Sequence, residues 1–156
     1  MARYTGTVNS PHSAAEVWSY LADLRSIAEW DPSVEEVRLL SGDPGTVGAR
    51  YHLEVGFLGS RVSLPYVTVA AEPPRRVVFA AETGSVTVRD EARVQPITDG
   101  GSCVVWDAEM RLKGPRRVLD PLLGLAFNQL GGQAARGLGE RLGEPTLSQP
   151  LEELWA

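Results

Sequence analysis

The segment from Pro11 to Val34 constrains the fold of this chain more than any other stretch. Its pattern predicts a capped amphipathic helix, a second short helical turn and then Trp-Asp-Pro, which ends helical structure. Roughly 60 residues of strand-like sequence follow, and one long helix comes near the C-terminus. We therefore expect an α+β fold in which an antiparallel sheet, closed by a single helix, encloses a cavity.

The first helix has a recognisable start and a clear apolar face. Ser13 and Glu16 fit a capping box, in which each side chain satisfies a free backbone N–H of the other residue. Val17, Leu21 and Leu24 then share one helical face. These residues predict a helix that lies against the sheet.

Seven segments have the alternating pattern of strands, and short turn-forming sequences join the last six. Such connections predict that neighbouring strands pair antiparallel. A helix is predicted to follow from Pro115 to Leu142, with apolar residues at steps of three or four. The predicted strands cover residues 4–8, 34–40, 47–57, 61–71, 76–82, 85–97 and 102–113.

Two parts of the chain resemble the START-like (SRPBCC) superfamily, and in particular its polyketide cyclase/dehydrase and lipid-transport group. They are Val17-Trp18, Leu21-Ala22-Asp23 and Trp30-Asp31-Pro32 in the first part, and Gly114-Pro115 with Leu119-Asp120-Pro121-Leu122-Leu123 in the second. The resemblance implies a helix-grip fold, a seven-stranded curved antiparallel sheet (β-α-α-β6-α) wrapped round a long C-terminal helix. It implies a domain at 1–143, and we expect 144–156 to form a separate tail.

Composition excludes several classes of protein. A net charge of −5 argues against a nucleic-acid binder, because phosphate contacts need a basic face. The longest uncharged run, which lies between Asp120 and Arg136, is too short and too polar for membrane insertion. No apolar run of signal-peptide length follows Met1, and one cysteine allows no intrachain disulfide, so we expect a cytoplasmic protein. The single lysine beside many arginines suggests a GC-rich bacterial genome.

The chain lacks the standard signatures of catalysis and of metal or cofactor binding. His12 and His52 have no cysteine or carboxylate neighbours at metal-ligand spacing, and we expect both at the surface. Cys103 has no activating cation nearby in sequence. We therefore predict no metal and no cofactor, and a monomer or weak homodimer.

Strand alternation nominates the residues that line the cavity. On the strand that contains Asp90, the apolar residues share one face, and Asp90 falls among them. This carboxylate is costly to bury unpaired, so it either faces water or an arginine of the helix, or serves as a polar anchor in the pocket. The predicted ligand-binding residues are Trp30, Tyr51, Leu53, Val88, Asp90, Trp106, Met110, Phe127 and Leu130.

Three functions fit these features. The first is binding or transport of a lipophilic small molecule, such as a lipid, isoprenoid, quinone or polyketide. The second is a cofactor-independent polyketide cyclase, aromatase or dehydratase, for which Asp90 and Tyr51 are the candidate catalytic pair. The third is a protein-interaction module with a collapsed cavity. Glycines of the last helix, such as Gly131 and Gly137, mark either close backbone approach or room for a ligand.

Overall fold

The computed structural model describes residues 1–57, 59–144 and 147, and of Asp120 it describes the backbone. Seven strands and three α-helices follow each other in the predicted order. The strands are β1 (Ala2–Ser10), β2 (Val34–Ser41), β3 (Arg50–Phe57), β4 (Ser60–Glu72), β5 (Arg76–Glu82), β6 (Val86–Pro96) and β7 (Ser102–Leu112). The helices are α1 (Ala14–Ala22), α2 (Ile27–Trp30) and α3 (Asp120–Leu142), and 3₁₀ segments cover Leu24–Ser26, Thr98–Gly100 and Gly114–Leu119.

All seven strands form one antiparallel sheet in the order β1-β7-β6-β5-β4-β3-β2. Strands that follow each other from β2 to β7 are neighbours, as their short connections predict. The N-terminal strand pairs with β7 instead, because the helical segment carries the chain from one edge of the sheet to the other. The helix α3 packs against β1 and α2. This is the expected helix-grip arrangement.

Two element starts differ from the sequence prediction by three residues or more. Strand β3 begins at Arg50 rather than at residue 47, because Gly48 has a φ of 94°, which turns the backbone out of extended geometry. Residues Gly114–Leu119 form a 3₁₀ segment, so α3 begins at Asp120 rather than at Pro115. A second proline, Pro121, fits the first turn of the α-helix, where its missing N–H has no cost.

The start of α1 uses half of the predicted capping box. The hydroxyl of Ser13 accepts a hydrogen bond from the backbone N–H of Glu16 at 3.2 Å. The carboxylate of Glu16 turns instead to Nδ1 of His12, at 3.1 Å. His12 and His52, predicted at the surface, are both partly buried, and each lies next to a glutamate.

No helix in the described part of the chain is both long and apolar enough to cross a membrane. The predicted tail, 144–156, lies outside the described residues except for Glu144 and Leu147. Its boundary with the domain therefore stays a prediction.

Candidate functional site

A cavity of about 110 Å³ lies between the inner face of the sheet, the α2–β2 connection and α3. Its walls are mostly apolar, and part of its boundary is open to solvent. Strand β5 contributes no residue to it, whereas β1, β3, β6 and β7 all do. Strands β2 and β4 contribute as well, so the cavity is bounded by strands from both ends of the sheet and by α3, which packs against β1.

Most of the predicted ligand-binding residues come together in this cavity. From the sheet, they are Leu53, Val88, Asp90, Trp106 and Met110. Trp30 comes from the end of α2, and Phe127 and Leu130 come from α3. The side chains of β6 and β7 that face the cavity, Asp90 among them, are thus the ones that alternation along the strands predicts.

Tyr51 is the predicted residue that does not reach the cavity wall. It is fully buried, and its ring packs edge-on against Phe79, with the ring centres 6.3 Å apart. Burial raises the pKa of its hydroxyl, so Tyr51 stays neutral. Strand β3 lies three positions from β6 in the sheet, or roughly 14 Å at ordinary strand spacing, which is too far for a direct contact with Asp90. The candidate pair Asp90 and Tyr51 is therefore not brought together.

The tyrosine that reaches Asp90 is Tyr66 on β4. Its hydroxyl donates a hydrogen bond to Oδ2 of Asp90 at 3.0 Å. Between the two strands, Ala81 of β5 stands opposite Tyr66, and its small side chain leaves room for the tyrosine ring to extend toward β6. Both side chains line the cavity. They form a polar pair in a mostly apolar wall.

Asp90 is a buried carboxyl group with an altered acidity. It is 6% exposed, and Tyr66 is its one hydrogen-bond partner among the described residues. Burial raises the pKa of Asp90 to about 7, and the negative charges of Asp31 and Asp107 act in the same direction. The hydrogen bond from Tyr66 opposes this shift. Asp90 can therefore hold or release a proton near neutral pH.

A second carboxyl group, Asp31, reaches the cavity from the Trp-Asp-Pro segment. Its Oδ1 accepts hydrogen bonds from the backbone N–H of Ser33 at 2.9 Å and from the Ser33 hydroxyl at 2.7 Å. This local turn is one that aspartate commonly makes before a strand. Burial raises the pKa of Asp31 against the effect of these bonds. The sequence interpretation used Asp31 as the end of a helix and missed it as part of the site, as it missed Tyr66.

Close contacts at two glycines of α3 set the helix against its neighbours. A Cβ on Gly137 would lie 2.0 Å from the carbonyl oxygen of Trp30, and one on Gly131 would lie 2.3 Å from Cγ of Tyr4. Close backbone approach therefore accounts for these two glycines. The approach brings Trp30 to Trp106, and their rings meet edge to face with centres 4.9 Å apart.

No group of three or more His, Cys, Asp or Glu side chains is placed to hold a metal ion within the ranges that the structure describes. The cavity wall itself offers two aspartates, which lack the further ligands that a transition metal requires. What the site provides is an apolar space with two carboxyl groups, a serine and tyrosine hydroxyls.

A family model described as "Polyketide cyclase / dehydrase and lipid transport" matches residues 1–143. The chain belongs to this family. Membership confirms the resemblance seen in the helical segments, and the family description supports a role in binding hydrophobic ligands.

Solved structures show the same fold at low sequence identity. A START superfamily protein from Mycobacterium smegmatis is 15% identical, with a TM-score of 0.75 over 91% of this chain and 97% of that one. The Zhui aromatase/cyclase from Streptomyces sp. R1128 is 19% identical, with a TM-score of 0.69 over 89% of this chain and 93% of that one.

Among curated proteins, the chain is 31% identical over 142 residues to DNA (cytosine-5)-methyltransferase 3 of Zea mays. The match covers 83% of this chain. The chain spans 14% of the length of that relative, so the family assignment rests on the match over residues 1–143.

Proposed function

We propose that this protein binds a lipophilic small molecule in the cavity between the sheet and α3, as a carrier or binding protein. The observation that carries the proposal is a mostly apolar cavity with two hydrogen-bonded polar pairs in its wall, Asp90 with Tyr66 and Asp31 with Ser33. Apolar walls provide affinity, and a few placed polar groups orient the guest. The family description, which includes lipid transport, supports this proposal.

The volume of the cavity limits the size of the ligand that it can enclose. An engineered apolar cavity of about 150 Å³ binds benzene, so a space of about 110 Å³ accommodates a group of roughly one ring or a short chain. A larger lipid, isoprenoid, quinone or polyketide would extend through the open part of the boundary or move side chains of α3. The proposal therefore places one end of such a molecule at Asp90.

Native mass spectrometry of protein purified from its own host tests the proposal. We expect a retained apolar small molecule that is lost on denaturation. The variant Ala108→Leu adds a larger side chain to the cavity wall and should reduce the retained fraction. Its matched control, Val105→Leu, adds bulk to the opposite face of the same strand and should leave the fraction unchanged. Equal loss in both variants, or no retained molecule in the wild type, would contradict the proposal.

A second candidate function is a cofactor-independent polyketide cyclase or dehydratase. The observation that favours it is the buried Asp90, whose pKa of about 7 suits a general acid or base, with the hydroxyl of Tyr66 3.0 Å away. We expect Asp90→Asn to abolish turnover of a poly-β-keto substrate while binding remains. Unchanged turnover would remove Asp90 from the mechanism.

A protein-interaction module with a collapsed cavity is less favoured, because the described interior contains a cavity.

The proposal includes the setting in which the protein acts. We propose a cytoplasmic bacterial protein, monomeric or weakly dimeric, that works without nucleic acid, metal or cofactor. The net charge of −5 supports the part that concerns nucleic acid. Sedimentation at increasing concentration tests the oligomeric state.

A further inference from the structure

The cavity wall carries negative charge and no positive charge among the described residues. Asp31 and Asp90 are its charged side chains, and no lysine, arginine or histidine of the described ranges lines it. The other polar side chains of the wall are neutral and include Tyr4, Ser33 and Tyr66. A guest with an acidic head would therefore meet two carboxyl groups and no cation to pair with.

Asp90 and its neighbour Glu91 differ in whether a cation faces them. Both side chains are buried, at 6% and 5% exposure, and they point to opposite faces of β6. On the outer face, Glu91 has ion pairs with Arg76 at 3.0 Å and Arg89 at 3.6 Å, and with Arg93. On the inner face, Asp90 has one neutral hydroxyl. A buried carboxylate is normally paired with a cation. Glu91 follows this rule on the outer face, whereas Asp90 on the inner face does not.

Each carboxyl group of the wall also keeps one oxygen without a protein partner. Tyr66 donates to Oδ2 of Asp90, and both hydrogen bonds from Ser33 go to Oδ1 of Asp31. Within the described part of the chain, Oδ1 of Asp90 and Oδ2 of Asp31 have no hydrogen-bond donor. A guest with N–H donors can satisfy these oxygens.

Aromatic side chains complete the surroundings that a cation prefers. Trp30, Trp106 and Phe127 line the same cavity, and the two tryptophan rings meet there. The face of an aromatic ring attracts a cation, most strongly for tryptophan, and the attraction grows when the cation is removed from water. Carboxyl groups and aromatic rings therefore line the same cavity, a combination that favours an ammonium group.

We propose that the guest is a lipophilic amine, bound as an ammonium ion that pairs with Asp90 while its apolar body lies against Trp106, Met110 and Phe127. The proposal rests on the proposed function, because it requires that the cavity holds a lipophilic guest. It adds the charge of the head group. Amines are accepted, neutral analogues bind more weakly, and fatty acids and other carboxylates are rejected.

Four one-ring probes of similar size test the proposal on the full chain: toluene, benzyl alcohol, benzylamine and benzoate. Binding is measured at pH 7.5 by isothermal titration calorimetry. A charged hydrogen bond contributes about 1.5–3 kcal/mol, so we expect benzylamine to bind roughly ten to a hundred times more tightly than toluene. We expect benzyl alcohol, which has a neutral donor, to bind between the two. We expect no measurable binding of benzoate.

Two variants locate the effect. Asp90→Asn keeps the size of the side chain and its ability to accept from Tyr66, and should reduce the preference for benzylamine over benzyl alcohol to about threefold or less. Glu82→Gln removes an exposed carboxylate that pairs with Lys113 and should leave the preference unchanged.

The outcomes separate the two proposals. If toluene and benzyl alcohol bind but benzylamine is no tighter, or if benzoate binds as well as benzylamine, the amine inference is overturned and the binding function stands. If none of the four probes binds, the binding function fails, and the inference fails with it. If Asp90→Asn keeps the full preference, the amine does not pair with Asp90.

Discussion

The inner face of the sheet is filled with side chains beneath α1 and hollow beneath α3. Helix α1 packs against β5 and β6, and there Val17, Leu21, Tyr51 and Phe79 are all below 2% exposed. None of these four residues lines the cavity. Beneath and on α3, the cavity wall includes several small side chains, which are Ala108, Ala134 and Ala135.

The comparison shows that the cavity follows from residue size at particular positions rather than from the fold alone. Each region has a tyrosine on the same face, Tyr51 in the filled part and Tyr66 in the hollow part, and the two stand opposite each other across β3 and β4. Tyr51 packs on Phe79, whereas Tyr66 extends to Asp90. One tyrosine stabilises the core, and the other positions a titratable group beside the cavity.

The largest expected difference between the regions is in pH dependence. The pKa of Asp90 rises from 3.8 in the unfolded chain to about 7 in the folded protein, so the folded state binds the proton more tightly. The contribution of Asp90 to stability is therefore greatest below about pH 4 and falls as pH rises to about 7, by up to roughly 4 kcal/mol. Asp90→Asn removes this loss. The free energy of unfolding of the variant minus that of the wild type should therefore increase by about that amount from pH 4 to pH 8. Urea unfolding at both pH values measures it, and a constant difference would contradict the burial of Asp90.

Truncation of a leucine should affect the two regions unequally. Leu21→Ala opens a new void in the filled part, and we expect it to reduce the free energy of unfolding by about 3 kcal/mol. Leu130→Ala only enlarges an existing cavity from a half-buried position, and its cost should stay below about 1.5 kcal/mol. Denaturant unfolding at fixed pH compares them. Equal losses would mean that the region beneath α3 is packed as tightly as the core.

Two glycines of α3 give a smaller, matched test of the contact between α3 and α2. Gly137→Ala places a methyl group against the carbonyl of Trp30 and should cost about 2 kcal/mol. Gly124→Ala meets no atom within 4 Å and should stabilise the helix by about 0.5–1 kcal/mol. Thermal unfolding of both variants measures the difference. A neutral Gly137→Ala would show that α3 does not lie against α2 at this distance.

The smallest effect concerns the hydrogen bond itself. Tyr66→Phe removes the donor to Asp90, and we expect a loss of about 1 kcal/mol at pH 8, where the acceptor is ionised. The same variant should raise the pKa of Asp90, because the hydrogen bond from Tyr66 lowers it. Nuclear magnetic resonance titration of the Asp90 carboxyl carbon measures the shift. A pKa that stays the same or falls would show that Tyr66 does not donate to Asp90.

The fold could be predicted from the sequence because its signals are local. Short connections between strands determine antiparallel neighbours, and the apolar spacing of Leu123, Phe127, Leu130 and Leu138 determines the inward face of α3. Alternation on β6 likewise places Asp90 inside, since its inward neighbours Val88 and Ala92 are apolar. The positions of these residues could be predicted without information from distant parts of the chain.

The polar pair could not be predicted in the same way, because it depends on register across three strands. Residues 66–70 are apolar on both faces, so alternation gave no phase for Tyr66. The pairing of Phe57 with Ser60 supplies this phase, because the same register pairs Tyr51 with Tyr66 and puts both on the inner face. The contact from Tyr66 across β5 to Asp90 also depends on a register shift between Thr68 and Ala70, which no local signal indicates.

The most direct test of the account is a crystal structure of the protein soaked in benzene. We predict electron density for one ring in the space bounded by Trp106, Met110 and Phe127, with little movement of the filled region around Tyr51 and Phe79. A structure in which these side chains close the space, with no benzene between the sheet and α3, would contradict it.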